Sequence, residues 1–190
     1  MSSDIAPLFI AGNLALDFIN TLFGAGADQR ECLEDGDSVV AWLRQSGALA
    51  EEVKPPPAEL LPLARALREE MKRLVNAAKE GQAAEPVLVN QVLERGHPVE
   101  RMEWRAAEAA FTRTEKRRDL SAEGLLQPVA RAFVELLTDE NLQLVKECEA
   151  CDCVLMFHDQ TKSHRRRWCS MASCGNRAKA LLYRERRKAK

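Results

Sequence analysis

The chain has 190 residues, and none of its apolar runs approaches the ~18 uninterrupted residues that a membrane-spanning helix needs. No secretory leader is expected either. Pro7 to Phe23 is apolar and Ala25-Gly26-Ala27 superficially resembles a signal-peptidase site, but the start carries Asp4 and no Lys or Arg. Asn13, Asp17 and Asn20 interrupt the apolar run, so the pattern of basic start and clean apolar core fails. A cytoplasmic protein with no membrane partner is therefore expected, and in that reducing compartment six cysteines point to metal binding rather than to a disulfide framework. Histidine is scarce: His97, His158 and His164 are poorly placed for a shared centre. No Ser/His/Asp constellation or phosphate-binding loop accompanies them, which argues against an enzyme. Internal repeats and low-complexity tracts are absent, which excludes a repeat architecture.

What is present is a soluble composition with a concealed asymmetry. Hydrophobic residues make up 46% and charged residues 30%, as in globular domains, and the net charge is only −1. Yet Lys146 to Lys190 holds 12 Lys or Arg against 5 Asp or Glu, while the rest of the chain holds 16 against 24. A basic end on an acidic body suits a polyanionic partner better than a uniformly neutral protein does.

Hydrophobic spacing predicts a mainly helical N-terminal region. Leu8 to Phe23 contains a buried helix; Asp37 or Ser38 caps a second, running through Val39, Val40, Trp42 and Leu43 to a stop at Gly47. Leu60, Leu63, Leu67, Met71, Leu74 and Val75 recur at i, i+3/i+4 within a helix over 58–80, ended by Gly81. Pro86 to Arg95 is a short helix, residues 97–118 are read as a β-hairpin in preference to a helix, and a further helix runs from Leu125 to Leu137. Leu142 to Lys146 is strand-like and leads into the cysteines. The domains expected are 1–140, helical, and 141–190, a segment too small to fold without a staple.

Five of the six cysteines lie between Cys148 and Cys174. Two close pairs separated by a hairpin-length spacer are the usual form of a structural four-cysteine zinc site, because each pair turns two sulfurs toward one ion. In the first pair, Cys148-x-x-Cys151 is the commoner knuckle spacing, whereas Cys148 with Cys153 matches the four-residue gap between Cys169 and Cys174. Zinc fits a tetrahedral thiolate set better than redox metals, with an iron–sulfur centre as the alternative. His158 and His164 are in range but superfluous, and are read as exposed. Cys32 is isolated and is read as a small half-buried residue. Cys174 begins a helical pattern, so knuckle, hairpin and helix make a treble-clef-like arrangement. Arg165, Arg166 and Arg167 would offset the charge of the thiolates or touch nucleic acid. Asn176, Arg177, Lys179, Arg184, Arg186 and Arg187 lie on or beyond the helix start, where phosphate contact and base reading are the chemistry of such residues. Asn176 and Arg177 serve equally well as cap and as thiolate donor. Trp168 is read as core of the finger.

At these residues the chain resembles a known family. Trp168 to Lys179 (WCSMASCGNRAK), with the upstream cysteines and Phe157-x-Asp159, is similar to the CGNR zinc finger, named for the tetrapeptide seen here at Cys174 to Arg177. Leu14 to Leu22 (LALDFINTL), Asp37, and Trp42-Leu43 before Gly47 resemble the ABATE domain that precedes this finger in bacterial stress-induced transcription regulators. The resemblance implies Cys148, Cys153, Cys169 and Cys174 as ligands of one structural Zn2+. It also implies that the finger is the DNA-binding element.

The fold expected is mainly α (α+β): a helical domain with a small hairpin, then a four-cysteine finger ending in a basic helix. The expected function is a regulator on double-stranded DNA, with the N-terminal domain sensing a small-molecule effector or forming a homodimer. Asp17 and Asn20, polar within apolar sequence, are candidates for a ligand pocket, with capping or pairing of buried backbone groups as the competing role. An RNA- or ribosome-associated zinc module is the competing function.

Overall fold

The computed structural model describes residues 7–24, 29–139, 141–150 and 153–188; Ala25-Gly26-Ala27 and Cys151 lie outside them. Six helices are described: α1 (Leu14–Ile19), α2 (Gly36–Gln45), α3 (Leu60–Lys79), α4 (Val87–Arg95), α5 (Ala122–Thr138) and α6 (Asn176–Lys188). Three antiparallel pairs accompany them: β1 (Leu22–Phe23) with β2 (Arg30–Glu31), β3 (Val99–Arg105) with β4 (Ala110–Lys116), and β5 (Val145–Glu147) with β6 (Met156–His158).

Local chemistry sets the helix ends. The cap of α2 is Asp35 rather than Asp37 or Ser38: its carboxylate accepts the Ser38 N–H at 2.8 Å, and the Ser38 hydroxyl accepts the Asp35 N–H at 2.9 Å. This reciprocal pair satisfies two donors that a helix start leaves open. Gly47, with φ of 79°, ends the helix in the left-handed region that glycine adopts without strain. Helix α5 starts earlier than its apolar pattern suggested, capped by Ser121 and continuing through Pro128. A proline there leaves the carbonyl of Gly124 without its helical donor. Arg117 Nε supplies one at 3.0 Å, while Nη2 of the same guanidinium donates to Ala48 O at 2.9 Å and Nη1 pairs with Glu51 at 2.6 Å. Residues 142–144 form a 3-10 turn, so the expected strand is confined to Val145–Glu147.

The core is a layer of α1, α3, α4 and α5 with α2 against α3. Leu60, Leu67, Met71, Leu74 and Val75 of α3 are buried as their spacing predicted, Leu63 is half-buried, and Ala64, outside that pattern, is buried as well. Trp42 sits between Phe9 and Phe18, with ring centroids 5.6 and 5.2 Å away. Gly96 lets α4 and α5 approach, since a Cβ there would lie 2.4 Å from Glu123 O. One charge enters this core: Arg68, 4% exposed, grips Glu31 with two bonds of 2.7 Å and donates to Thr21 Oγ1 at 3.0 Å. Burial alone would raise the carboxyl of Glu31, but the bonds and charge of Arg68 outweigh it and hold the pKa below its usual value.

The finger does not hang free of this body. Val145, Leu155, Met156 and Phe157 belong to the same apolar cluster as Leu16, Phe18 and Leu125. Segment 10–12 runs beside β6 and its flanks: His158 N–H donates to Ala11 O at 2.7 Å and Gln160 Nε2 to Gly12 O at 3.1 Å. Asn20, 2% exposed at the end of α1, holds both backbone groups of Met156. Its Nδ2 donates to the carbonyl at 2.8 Å and its Oδ1 accepts the N–H at 3.0 Å. Replacing Asn20 by Leu would leave both groups of Met156 buried without partners, each at ~1–3 kcal/mol. The expected result in urea unfolding is a loss of ~2–4 kcal/mol, with faster amide exchange across Met156 to His158 and little change in α3. Unaltered stability and exchange would show that this clamp contributes nothing.

Candidate metal centre and basic helix

The first cysteine pair lies in the turn of the β5–β6 hairpin; of the second, Cys169 precedes and Cys174 lies within a π-helical turn, Met171–Gly175, that leads directly into α6. Hairpin and helix start thus converge on one point. The sulfurs of Cys148, Cys153, Cys169 and Cys174 all lie within 4.8 Å of one another. Two separations are 3.8 Å (Cys153 to Cys169) and 3.6 Å (Cys169 to Cys174). These distances are too long for disulfides, whose S–S bond is ~2.05 Å. They agree with the ~3.8 Å edge of a tetrahedron built on metal–sulfur bonds of ~2.3 Å.

The thiol chemistry fits a cation as well. Four sulfurs so close cannot all ionise by themselves. Cys153 gives up its proton first, its pKa lowered to about 5 because Cys169 hydrogen-bonds to it. Cys169 is pushed up by that same bond, by burial and by the charge on Cys153; Cys174 is pushed up chiefly by burial. A divalent ion resolves this conflict by stabilising every thiolate together. The four cysteines are therefore able to hold one zinc ion, and a full set of protein ligands makes such an ion a structural crosslink. His158 and His164 stand outside the four-sulfur set. His158, expected to be exposed, is buried on β6, and His164 Nδ1 sits 3.1 Å from Asp159 O.

Asp159 organises the segment between the cysteine pairs, a role that sequence reasoning did not assign. Fully buried, its carboxylate receives Lys146 Nζ at 2.7 Å, Thr161 Oγ1 at 2.6 Å and the Arg166 N–H at 2.9 Å. Burial would raise its pKa, but these donors win and hold the carboxyl well below the ordinary range. The signal was present in the family pattern Phe157-x-Asp159, without anything to show which residues it gathers.

Arg166, expected at the nucleic-acid face or among the thiolates, turns inward instead. Its guanidinium donates to the carbonyls of Ile10 (2.9 Å), Trp168 (3.1 Å) and Cys169, and lies 4.2 Å over the Phe157 ring. Buried carbonyls of the seam need donors, and a fork of five N–H groups reaches several at once. Arg167 pairs with Glu149 at 2.6 Å and covers Trp168, which is half-buried. Arg165 is exposed. Asn176 opens α6 with its Nδ2 on Ala172 O at 3.3 Å, and Arg177 donates to Cys174 Sγ at 3.2 Å. The thiolate thus receives a side-chain donor. Cys148 Sγ accepts the Cys169 N–H at 3.4 Å. Lys179, Arg184, Arg186 and Arg187 are all exposed on α6, with Arg187 6.0 Å over the Tyr183 ring.

Asp17 and Asn20 are each engaged by backbone groups, and Asp17 also borders an open hollow of about 390 Å3 with Phe9, Asn13 and Gln45. The Asn20 amide is committed to Met156, and Asp17 Oδ1 accepts the N–H groups of Ile10 and Ala11, both at 2.9 Å. Burial raises the Asp17 pKa against those two bonds. Their motif serves the seam. Other spaces are about 460 Å3 beside the metal centre, walled by Ile10, Phe23 and Leu155, and about 240 Å3 among α3, α4 and α5.

A four-cysteine finger docked by its hairpin on a helical body, and ending in a basic helix, is a metal-stabilised module of the zinc-finger class. Residues 12–140 match the family ABATE, described as "putative stress-induced transcription regulator", and residues 145–187 match the CGNR zinc finger. The chain belongs to the ABATE family and carries the CGNR finger after it. None of the curated proteins compared with it matches. The two families are of regulator and zinc-finger type rather than enzyme families. No described helix is long and apolar enough to cross a membrane.

Two measurements address the metal centre. Removing zinc with a chelator should expose amides from Cys148 to Gly175 to exchange while α3 and α5 stay protected; equal protection before and after would reject a structural metal. Cys153→Ser should lose the one zinc per chain that Cys151→Ser retains, and the reverse pattern would move the ligand to Cys151.

Proposed function

We propose that the protein is a transcription regulator that binds double-stranded DNA through α6, with the metal centre fixing the helix to the body. The observation that carries this reading is the unneutralised charge of the helix. Lys179, Arg184, Arg186 and Arg187 are exposed, and no ion pair among the described residues engages them. Several cations elsewhere are paired, as Arg95 with Glu123, Arg131 with Glu135 and Arg167 with Glu149, whereas these four lie together on one helix. A helix with five exposed Arg or Lys, among them Arg177, and one Glu repels itself unless a polyanion is near.

Roles divide along the helix. Arg184, Arg186 and Arg187 with Lys179 contact phosphates, joined by Arg165 at the edge of the finger. Asn176 and Arg177 stand where the chain leaves the metal, and the bond from Arg177 to Cys174 gives it a positioning role there. The acidic body is excluded from the DNA surface by the same field that attracts α6. Such a body sets α6 through the seam, so an effector or a second subunit acting on it changes how the helix is presented. The protein acts by binding, without catalysis, and a DNA-bound regulator works in the cytoplasm of a bacterial cell.

Binding to duplex DNA should weaken steeply with salt, with a log–log slope of roughly −4 to −6 for five or six neutralised phosphates. Arg186→Ala should make that slope shallower by about one. A flat salt response would reject the phosphate clamp. Structured RNA outcompeting duplex DNA at equal salt would replace this reading by an RNA-associated one.

A further inference from the structure

The hairpin β3–β4 projects from the body, tied to α5 through Glu115 and Arg131 at 3.2 Å. None of its residues is buried, and only Glu103, Thr112 and Thr114 are even half-buried. One face nonetheless carries Met102, Trp104 and Phe111, exposed by 73%, 56% and 63%, with the two rings edge to face at 5.0 Å. A lone two-stranded hairpin is marginal in water, and the free edge of a strand is a template for another strand. Among the described residues this sheet has only those two strands.

Charge decides what kind of partner fits. Residues 99–116 hold four Lys or Arg and four Glu, so the hairpin is neutral and has no pull on a polyanion. The charges are also ordered: Arg101 and Glu103 lie on one face of β3, on either side of Met102, which points to the other face. We propose that β3 pairs antiparallel with β3 of a second copy of this chain, about a two-fold axis at Met102. In that register Arg101 faces Glu103 of the second copy, and the symmetry repeats the pair. On the other face the two Met102 side chains meet, flanked by the two Trp104–Phe111 ring pairs, where thioether and ring edge attract. Moving the axis by one residue sets Arg101 on Arg101 or Glu103 on Glu103, like charges directly opposite, which is destabilising. The axis at Trp104 would also pair opposite charges, Glu103 with Arg105, but it overlaps only Glu103 to Arg105, whereas the axis at Met102 pairs the whole of β3. The contact is isologous and closes, giving a dimer with a shared four-stranded sheet rather than a filament. Glu103 holds Lys116 at 2.7 Å in the single chain, so Arg101 of the second copy adds a second cation to it.

Sedimentation equilibrium on the full, zinc-loaded chain tests this independently of DNA binding. The expected result is a concentration-dependent dimer. Trp104→Glu, which sets like charges against Glu100 of the second copy, Arg101→Glu and Glu103→Arg should each raise its dissociation constant about tenfold or more, with helical circular dichroism and bound zinc unchanged. Arg101→Glu mixed with Glu103→Arg should pair again, because both contacts across the axis then join opposite charges. A chain monomeric at every concentration, a dimer indifferent to these substitutions, or a mixture that stays apart would overturn the proposal.

Discussion

Everything in the C-terminal third depends on four sulfurs being held within 4.8 Å of one another. That crowding is unfavourable for thiols, since a thiolate at one position raises the cost of ionising the next. A cation converts the same crowding into a crosslink, joining the turn of a hairpin to the first residues of a helix. With so little apolar material of its own, the finger gains its fixed geometry from that junction. Arg177 and the N–H of Cys169 donate to two of the sulfurs and so share in holding the charge.

A second constraint ties the finger to the helical body. The Asn20 clamp on Met156, the bond from His158 N–H to Ala11, and the Arg166 fork on Ile10 all satisfy backbone groups that the seam removes from water. Asp159 holds the loop that delivers Arg166 there, with Lys146 balancing its charge. Because these polar groups are buried, each contact is costly to break, and the metal centre and α1 move together. A change in the body therefore has a mechanical route to α6.

Function follows from where charge is left unpaired. Many ions of the body and the hairpin meet a partner locally, whereas Lys179, Arg184, Arg186 and Arg187 of α6 face solvent together. Membership in the ABATE family, with its CGNR finger, agrees with a regulator, and the self-complementary edge of β3 gives such a regulator a way to present two helices at once.

Much of this was legible in the chain. Cysteine spacing, the i, i+3/i+4 stripe of α3, the hairpin over 99–116 and the basic end are local patterns, and local patterns survive without coordinates. Tertiary structure decided the rest, because it concerns what distant residues do to one another. Asn20 and Asp17 stand out as polar within apolar sequence, and tertiary structure set Met156, Ile10 and Ala11 beside them. Arg166 could not be told from Arg165 and Arg167 in a triplet, although its guanidinium alone meets the carbonyls of the seam. The first turn of α5 was hidden because the apolar pattern begins only at Leu125, and only the fold brings Arg117 to the carbonyl that Pro128 leaves open. Sequence determines which groups require partners; the fold determines which partners they meet.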